Sequence, residues 1–222
     1  MLEIKTITPE NDLDKRFSIL ICSLPRRAEL LARLLDKLKP QYEKHTDVEV
    51  LVAFDDGEAT IGAKRNYLVE QSTGEYIAFV DDDDLVSDNY LDLIMKAIET
   101  NPDVVGIELS YYVNEFYRGR AFHTVKHDHW WHEIDPLHPD LHLFYRCPNH
   151  LNPVRRELAV QAPFPEVNFR EDGVYSENLK CLLDIEVYIH EEPIYIYLYR
   201  ENKPLHYPPL FPNTHEKEDN II

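Results

Sequence analysis

The chain has 222 residues and a formal net charge of −18. That length suits one α/β domain with a substantial core, and the acidity disfavours nucleic acid or an anionic membrane as a main partner. The N-terminal segment lacks the apolar run of a signal peptide, and the longest apolar runs are strand-sized, so we expect a cytoplasmic protein without a transmembrane segment. Three separated cysteines, Cys22, Cys147 and Cys181, indicate neither a disulfide framework nor a zinc site.

Strands and helices alternate in the first half of the chain. Apolar runs over 17–22, 48–54 and 76–80 predict buried strands. Leucines at helical spacing follow the first run as far as Pro40, a helix over 61–71 follows the second, and a helix starting near Asn89 follows the third. This order predicts an α/β fold with a mainly parallel, Rossmann-like sheet flanked by helices, in a single domain.

The second half is less regular. Its predicted elements are strands within 103–147, a short helix begun by Asn152-Pro153 that carries Leu158 and Ala162, a helix from Glu171, and strands over 185–189 and 195–199. Proline and charge are concentrated in residues 201–222, which predicts a loosely held C-terminal tail.

An acidic run, Asp81 to Asp84, directly follows the third buried strand. Ligands bind at the carboxyl ends of strands in an open parallel sheet, and adjacent carboxylates repel one another unless a cation neutralises them. Hard oxygen ligands suit Mg²⁺ or Mn²⁺, with substrate phosphates supplying further ligands. The run therefore predicts a metal site; the alternative is a solvated acidic loop that caps the next helix.

Three smaller groups are expected at the same carboxyl edge of the sheet, which we call the rim. Asp55-Asp56-Gly57 ends the second strand, where an aspartate accepts hydrogen bonds from a base or ribose, although Asp and Gly are also common in simple turns. Lys64 and Arg65 follow. They could neutralise a diphosphate or pair with Asp56, and the alternative is an exposed helix face. Glu171-Asp172 is a candidate general base, or an acidic pair that only complements a helix dipole.

A histidine-rich segment also contains both tryptophans, Trp130 and Trp131. Its histidines are His123, His127, His129, His132, His138, His142 and His150. His127 and His129 would share a strand face, and with His132 they could bind a transition metal. No motif supports that, so we favour a polar, aromatic acceptor-binding or lid region. Aromatic rings suit the C–H faces of sugars, and they serve equally well as core or interface.

Several of these segments together resemble the family 2 glycosyltransferases of the GT-A fold. GAKRNYLVEQSTGEYIAFVDDDDLVSDNYL is similar to the centre of that family, with Asp81 to Asp83 at the spacing of its DxD motif. FSILICSLPRR and VEVLVAFDDGE resemble its first two strands, and FPEVNFREDGVYSENL resembles its later segment with an acidic pair. The resemblance covers residues 16–100 and resumes, more loosely, over 148–200, whereas 103–147 has no counterpart.

The resemblance implies a role for each matching residue. It assigns the metal to Asp81 and Asp83, the nucleotide to Asp55, Asp56, Lys64, Arg65 and Asp82, and acceptor activation to Asp172 beside Glu171. The family's occasional C-terminal histidine ligand would be His206. The implied reaction is an inverting transfer from a nucleotide-diphosphate sugar, by default a UDP-hexose, with Mn²⁺ or Mg²⁺.

The same resemblance divides the chain. Residues 1–200 would form the glycosyltransferase domain, with a donor half over 16–100 and an acceptor half over 101–200, followed by the tail at 201–222. The acceptor stays open among a saccharide, a protein, a lipid-linked glycan and a modified nucleic-acid base. Two alternatives remain, a nucleotidyltransferase on a similar fold and a non-catalytic module that binds nucleotide sugars or glycans. SLPRR lacks the glycine-rich loop usual in nucleotidyltransferases.

Overall fold

A computed structural model describes residues 2–190 and 192–200. In its first half the strands are β1 (Glu3–Thr6), β2 (Phe17–Ser23), β3 (Val48–Phe54), β4 (Tyr76–Phe79) and β5 (Leu85–Val86), and the helices are α1 (Ala28–Tyr42), α2 (Ile61–Gln71) and α3 (Tyr90–Ala97). The predicted strands and helices of this half are confirmed, except that α1 continues through Pro40, where its end was predicted, to Tyr42. β1 was not predicted, because its sequence EIKT has no apolar run.

The second half is strand-rich, as the sequence predicts. It contains β6 (Val104–Val113), β7 (Phe116–His123), β8 (Trp131–Ile134), β9 (His142–Arg146), β10 (Val154–Arg155), α4 (Arg156–Ala159), α5 (Glu171–Leu179), β11 (Glu186–Tyr188) and β12 (Tyr195–Tyr199). The predicted short helix that carries Leu158 is present, but its predicted start at Asn152-Pro153 and its extension to Ala162 were wrong. Val154 instead pairs with β4 and β6, and the helix that follows is a single turn that ends before Ala162.

One mixed sheet runs through the molecule in the order β1-β3-β2-β4-β10-β6-β7-β9-β8. β3, β2 and β4 are parallel neighbours, whereas β10 joins β4 to β6 in antiparallel pairs. The predicted α/β class with helices flanking a sheet is therefore confirmed. Parallel pairing dominates the first half, and antiparallel pairs are frequent in the second.

Alternate residues of the central strands point into two separate cores. Ile19 and Val50 pack on one side with the leucines of α1 and with α3. Leu20 and Leu51 pack on the other side with Leu68 of α2, and with α5. Strands that are buried on both faces read as continuous apolar runs, which is why the sequence revealed β2, β3 and β4 so clearly.

None of the helices within residues 2–190 and 192–200 combines the length and apolar character that a bilayer crossing requires. The three cysteines are free thiols. The predicted tail, with His206, lies outside the described residues.

Candidate functional site

Three parallel strands carry the candidate site at one edge of the sheet. β2 ends at Ser23, Asp55 follows β3, and Asp81 follows β4 after Val80. Because these strands are parallel neighbours, their carboxyl ends meet at the same edge. The predicted shared rim of acidic residues is therefore present.

Asp82 and Asp83 share one cation, Arg27. The Nη2 atom of Arg27 lies 2.5 Å from Asp82 Oδ1 and 2.7 Å from Asp83 Oδ2. Ser23 Oγ donates a hydrogen bond to Asp82 Oδ2 at 2.6 Å, so both oxygens of this buried carboxylate already have partners. Burial raises the pKa of Asp82, and Ser23 and Arg27 oppose that rise. Asp82 therefore positions Arg27 at the end of the first strand.

Asp81 faces a second set of cations. Its Oδ1 accepts a hydrogen bond from Arg65 Nη2 at 3.1 Å, and its Oδ2 lies 3.5 Å from His150 Nε2. Burial opposes ionisation, but Arg65 and His150 outweigh it and hold the pKa of Asp81 well below its usual range. Asp81 is therefore a carboxylate at neutral pH, as a metal ligand must be.

Asp84 has a structural role. Its two oxygens accept hydrogen bonds from Tyr195 Oη at 2.8 Å and from the backbone N–H of Leu198 at 2.7 Å. The same Tyr195 oxygen accepts a hydrogen bond from the backbone N–H of Asp81 at 3.1 Å. Burial raises the pKa of Asp84, and the nearby charges of Asp81 and Asp83 raise it further. Asp84 and Tyr195 thus fasten β12 beneath the acidic loop.

Asp55 and Asp56 differ sharply in environment. Asp55 is buried in a close ion pair with Lys64, and it also accepts a hydrogen bond from the backbone N–H of Ala59 at 2.7 Å. Lys64 thus pairs with Asp55 and not with Asp56. Asp56 is exposed and lines a cavity of about 220 Å³ together with the turn that follows β2. The accessible carboxylate at this strand end is therefore that of Asp56.

Arg65 connects the two acidic groups of the site. Its guanidinium lies between the rings of Phe79 and Phe164, at 5.3 and 5.4 Å from their centroids. Besides Asp81, it approaches Glu171 Oε1 at 3.6 Å. Its Nε and Nη1 atoms are buried and have no hydrogen-bond partner among the described residues. Unpaired buried donors are costly, so this guanidinium is well suited to an anionic ligand.

Glu171 and Asp172 begin α5 after Arg170, which adopts a left-handed conformation with φ of 66°. Burial raises the pKa of Glu171, and Arg65 partly offsets that rise. Asp172 is half-buried, and its Oδ1 accepts a hydrogen bond from the backbone N–H of Gly173 at 2.8 Å. Its negative charge acts on both Arg65 and Arg146. The fold therefore brings the later acidic pair to the edge of the rim.

His150 was in the predicted histidine set, but the sequence gave no reason to place it near Asp81. It is buried, and neither ring nitrogen has a hydrogen-bond partner among the described residues. Its ring packs edge-on against Phe79, with centroids 6.2 Å apart. Arg27 was also missed as a site residue. Both contacts join segments that are distant in sequence, so no local pattern reveals them.

The other histidines form no metal site. Within residues 2–190 and 192–200, no group of three His, Cys, Asp or Glu side chains is arranged to hold a metal ion. The idea that His127 and His129 share a strand face was wrong, because both lie in the loop between β7 and β8. His123 is buried against Asn152, and burial lowers its pKa to about 3.

A divalent metal nevertheless fits the acidic rim. Asp81 and Asp83 are hard oxygen donors whose side chains are 32% and 31% exposed, so a ligand from solvent can reach them. Mg²⁺ typically takes one or two protein carboxylates and completes its shell with water and substrate phosphates. Two carboxylates without a third protein ligand in the described region agree with that pattern.

The fold and part of the sequence have known counterparts. Crystal structures of S. aureus TarS 1-349 superpose with TM-scores of 0.58 alone, 0.57 with UDP-GlcNAc and 0.57 with UDP, at 15%, 14% and 13% sequence identity. These matches cover 83%, 85% and 83% of the chain, and the chain spans 60% of the TarS 1-349 length. No curated protein sequence matches the chain.

The mixed sheet flanked by helices is the fold shared with these TarS structures. The model of the family described as glycosyl transferase family 2 matches residues 57–158, a segment that contains Lys64, Arg65 and the whole acidic run. Over this segment, which is a little less than half of the chain, the sequence is similar to family 2 glycosyltransferases. The nucleotidyltransferase alternative has no comparable support.

Proposed function

We propose that the protein transfers a sugar from a nucleotide-diphosphate donor to an acceptor hydroxyl, with inversion at the anomeric carbon. The observation that carries this proposal is the cluster of Arg27, Arg65, Asp81 and Asp83 at the carboxyl edge of parallel strands. The cluster combines cations for phosphate groups with carboxylates for a divalent ion. The match to the glycosyl transferase family 2 model supports a reaction in which both are needed.

The donor diphosphate would bind beside Arg65. Two of its guanidinium nitrogens are buried without partners, and phosphate oxygens would satisfy them. Arg27 adds a second positive charge beside Asp83. The exposed Asp56 would accept hydrogen bonds from the nucleotide base, whereas Asp55 and Lys64 would support that loop from within.

Asp81 and Asp83 would hold Mn²⁺ or Mg²⁺ together with the donor phosphates. A bound metal supplies Lewis acidity that stabilises charge on the leaving diphosphate. The main role of Asp82 would be to hold Arg27 in place, because its two carboxylate oxygens are paired with Arg27 and Ser23. A contact with the ribose would be a lesser role. These residues account for departure of the nucleotide.

Asp172 would accept the proton of the acceptor hydroxyl as that oxygen attacks the anomeric carbon. Its half-exposed carboxylate at the start of α5 suits a base that must meet an incoming substrate. Glu171, buried against Arg65, would orient the helix start. A single displacement with one base inverts the anomeric configuration, because the nucleophile and the leaving group lie on opposite faces of the sugar.

A UDP-hexose is our proposed donor. The support is the family resemblance and the likeness in fold to S. aureus TarS 1-349, which has been crystallised with UDP-GlcNAc and with UDP. The acceptor class remains a saccharide, a protein, a lipid-linked glycan or a modified nucleic-acid base.

The decisive experiment measures donor binding and turnover together in Asp83→Ala. We expect calorimetry to show UDP binding that needs Mn²⁺ in the parent protein, and nucleotide release from one of UDP-glucose, UDP-galactose, UDP-GlcNAc or GDP-mannose. Asp83→Ala should lose the Mn²⁺ dependence of UDP binding as well as turnover, because it removes a metal ligand.

Asp88→Ala is the matched control. Asp88 lies just beyond β5, a few residues after the acidic run, is 91% exposed and pairs with Lys37 on the surface. It should behave like the parent protein. Mn²⁺-dependent UDP binding that persists in Asp83→Ala would overturn the proposed metal ligands, and absence of nucleotide binding in the parent would overturn the proposed function.

A further inference from the structure

Arg146, at the end of β9, is a cation that packs against aromatic rings and has no carboxylate partner within the described part of the chain. Its guanidinium carbon lies 4.3 Å from the ring centroid of Trp130 and 6.0 Å from that of Phe144. No ion pair or hydrogen bond joins this guanidinium to another side chain or carbonyl in residues 2–190 and 192–200. The aromatic rings partly stabilise it, yet burial lowers its pKa, so the charge is held at a cost.

The chain directly after Arg146 contacts α5, the helix that begins with the proposed catalytic base: Ser176 Oγ lies 3.2 Å from Cys147 Sγ and donates a hydrogen bond to the carbonyl of Pro148 at 2.7 Å. The negative charge of Asp172 acts on Arg146, as do the nearby hydroxyls of Tyr197 and Tyr111. Tyr111 packs on Phe144 and stacks on Tyr197, with centroids 4.9 and 5.4 Å apart. Arg146 is therefore close to the position that the acceptor hydroxyl would take. It belongs to the acceptor half of the chain, whereas Arg27 and Arg65 belong to the donor half.

An aromatic surface adjoins the cation on the same face of the sheet. Trp130 covers one side of the guanidinium and is itself 37% exposed. His132 and His142 lie next to Phe144, with their ring centroids 5.8 Å apart. The Nδ1 atom of His142 is buried without a hydrogen-bond partner among the described residues. Flat rings beside hydrogen-bonding nitrogens suit a sugar, whose C–H face is apolar and whose rim is polar.

We propose that Trp130 and Arg146 form the acceptor subsite, and that the acceptor is an anionic saccharide, with a carboxylate or phosphate group paired to Arg146. This inference rests on the proposed function, since it places the acceptor against Asp172. An anion would compensate the unpaired guanidinium with charge-assisted hydrogen bonds. In a chain of net charge −18, an isolated cation of this kind selects where an anionic acceptor can bind.

Tryptophan fluorescence can test this directly, because Trp130 and Trp131 are the only tryptophans in the chain. Trp131 stacks on Tyr145 at 4.0 Å, on the opposite face of the sheet, so Trp131→Phe leaves Trp130 as the sole reporter. We would titrate the Trp131→Phe variant with glucuronate, glucose 6-phosphate and neutral glucose, at matched ionic strength. Inorganic phosphate serves as a fourth probe without a sugar ring.

The expected result is a saturable change in Trp130 emission with glucuronate or glucose 6-phosphate, and a much weaker one with glucose. The first two probes distinguish a carboxylate from a phosphate. Arg146→Gln in the same background should weaken the response about tenfold or more, and Arg146→Lys should restore part of it. Saturation-transfer NMR on the unaltered chain gives the same comparison if Trp131→Phe does not fold.

Three outcomes would overturn the inference. They are equal responses to glucose and to the anionic sugars, a response that survives in Arg146→Gln, and no response to any of the probes by either method. Loss of UDP binding in Arg146→Gln would reassign Arg146 to the donor, which also overturns it. Calorimetry with UDP and Mn²⁺ tests the proposed function, and the saccharide titration tests the acceptor subsite. If the parent protein fails to bind UDP, the proposed function is wrong, whatever the saccharide titration shows.

Discussion

The four consecutive aspartates have four different environments. Asp81 faces Arg65 and His150, Asp82 is fixed by Ser23 and Arg27, Asp83 is reachable from solvent, and Asp84 is buried beneath Tyr195. Strand-to-loop geometry separates their side chains, so one acidic run serves ligand binding and folding at once. Substitutions along the run should therefore have unlike consequences.

Asp172→Asn should lower the turnover number about 100-fold or more, because general-base catalysis contributes factors of that size. UDP affinity should stay nearly unchanged, since Asp172 lies at the edge of the rim, at the start of α5. Steady-state kinetics and calorimetry check the two halves of this prediction. Glu177→Gln, an exposed change on the same helix, is the control. Weakened UDP binding in Asp172→Asn would place Asp172 in the donor site.

Tyr195→Phe should destabilise the fold by about 2 kcal/mol, because it leaves the buried Asp84 carboxylate and the Asp81 N–H without their shared partner. Urea unfolding of the variant beside the parent protein measures the difference. Tyr199→Phe removes the hydroxyl of a half-buried tyrosine of the same strand and should have little effect. Equal stability of all three proteins would show that Asp84 is satisfied in another way.

Individual site residues could be predicted only where a local pattern marks them. Asp81 to Asp84 follow a recognisable strand, and Glu171-Asp172 begins a recognisable helix. No local sequence pattern identifies Arg27 and His150 as site residues. They belong to the site because they contact Asp82 and Asp81, which are distant in sequence. Whether Asp55 or Asp56 is the exposed carboxylate was equally hidden, since only the burial of Lys64 decides it.

At the scale of secondary structure, apolar periodicity was a reliable guide to the first half. α2 spans Ile61–Gln71 as predicted, and Thr60 caps it by accepting a hydrogen bond from Ala63 N at 3.2 Å. The helix expected from Asn152-Pro153 starts only at Arg156, because Val154 pairs with both β4 and β6. Pairing of this kind depends on distant strands, which a sequence window does not contain.

β7 provides a prediction about pH. His123 at its end is buried and neutral, with a pKa lowered to about 3 against an ordinary value near 6.5. The unfolded chain binds a proton there that the folded chain does not, so stability is full above the ordinary pKa and falls as the pH drops below it. Between about pH 6.5 and 5 the unfolding free energy should fall by about 2 kcal/mol from this residue.

His123→Gln isolates that contribution. The variant should lose less stability than the parent over the same pH range, as measured by urea unfolding at each pH. His138→Gln, which replaces a histidine with a side chain that is 64% exposed, should follow the parent curve. Parallel curves for all three proteins would mean that His123 accepts its proton without unfolding.

For the whole molecule, the net charge of −18 should make stability depend on salt. Repulsion among like charges destabilises the compact state, and the screening length falls to about 8 Å at physiological ionic strength. We therefore expect the melting temperature to rise as NaCl is added from low concentration, as measured by scanning calorimetry. A steady fall would show that pairs such as Lys64–Asp55 dominate over the general repulsion.

The overall architecture was predictable as a class, and its sheet order was not. Three apolar runs separated by helices define an α/β fold, and sequence alone placed the acidic residues at one edge. The antiparallel bridge through β10 and the parallel addition of β11 and β12 to β6 depend on pairing partners far along the chain. The second half is where those pairings accumulate, and there the predictions were least specific.

The position of Arg65 between Asp81 and Glu171 has a consequence for proton balance. A diphosphate that takes up the free guanidinium nitrogens also brings negative charge next to Glu171, whose pKa is already raised by burial. Nucleotide binding and protonation of Glu171 then become linked equilibria, each favouring the other. Calorimetric titration of UDP in two buffers of different ionisation enthalpy should therefore reveal proton uptake, and Glu171→Gln should abolish it.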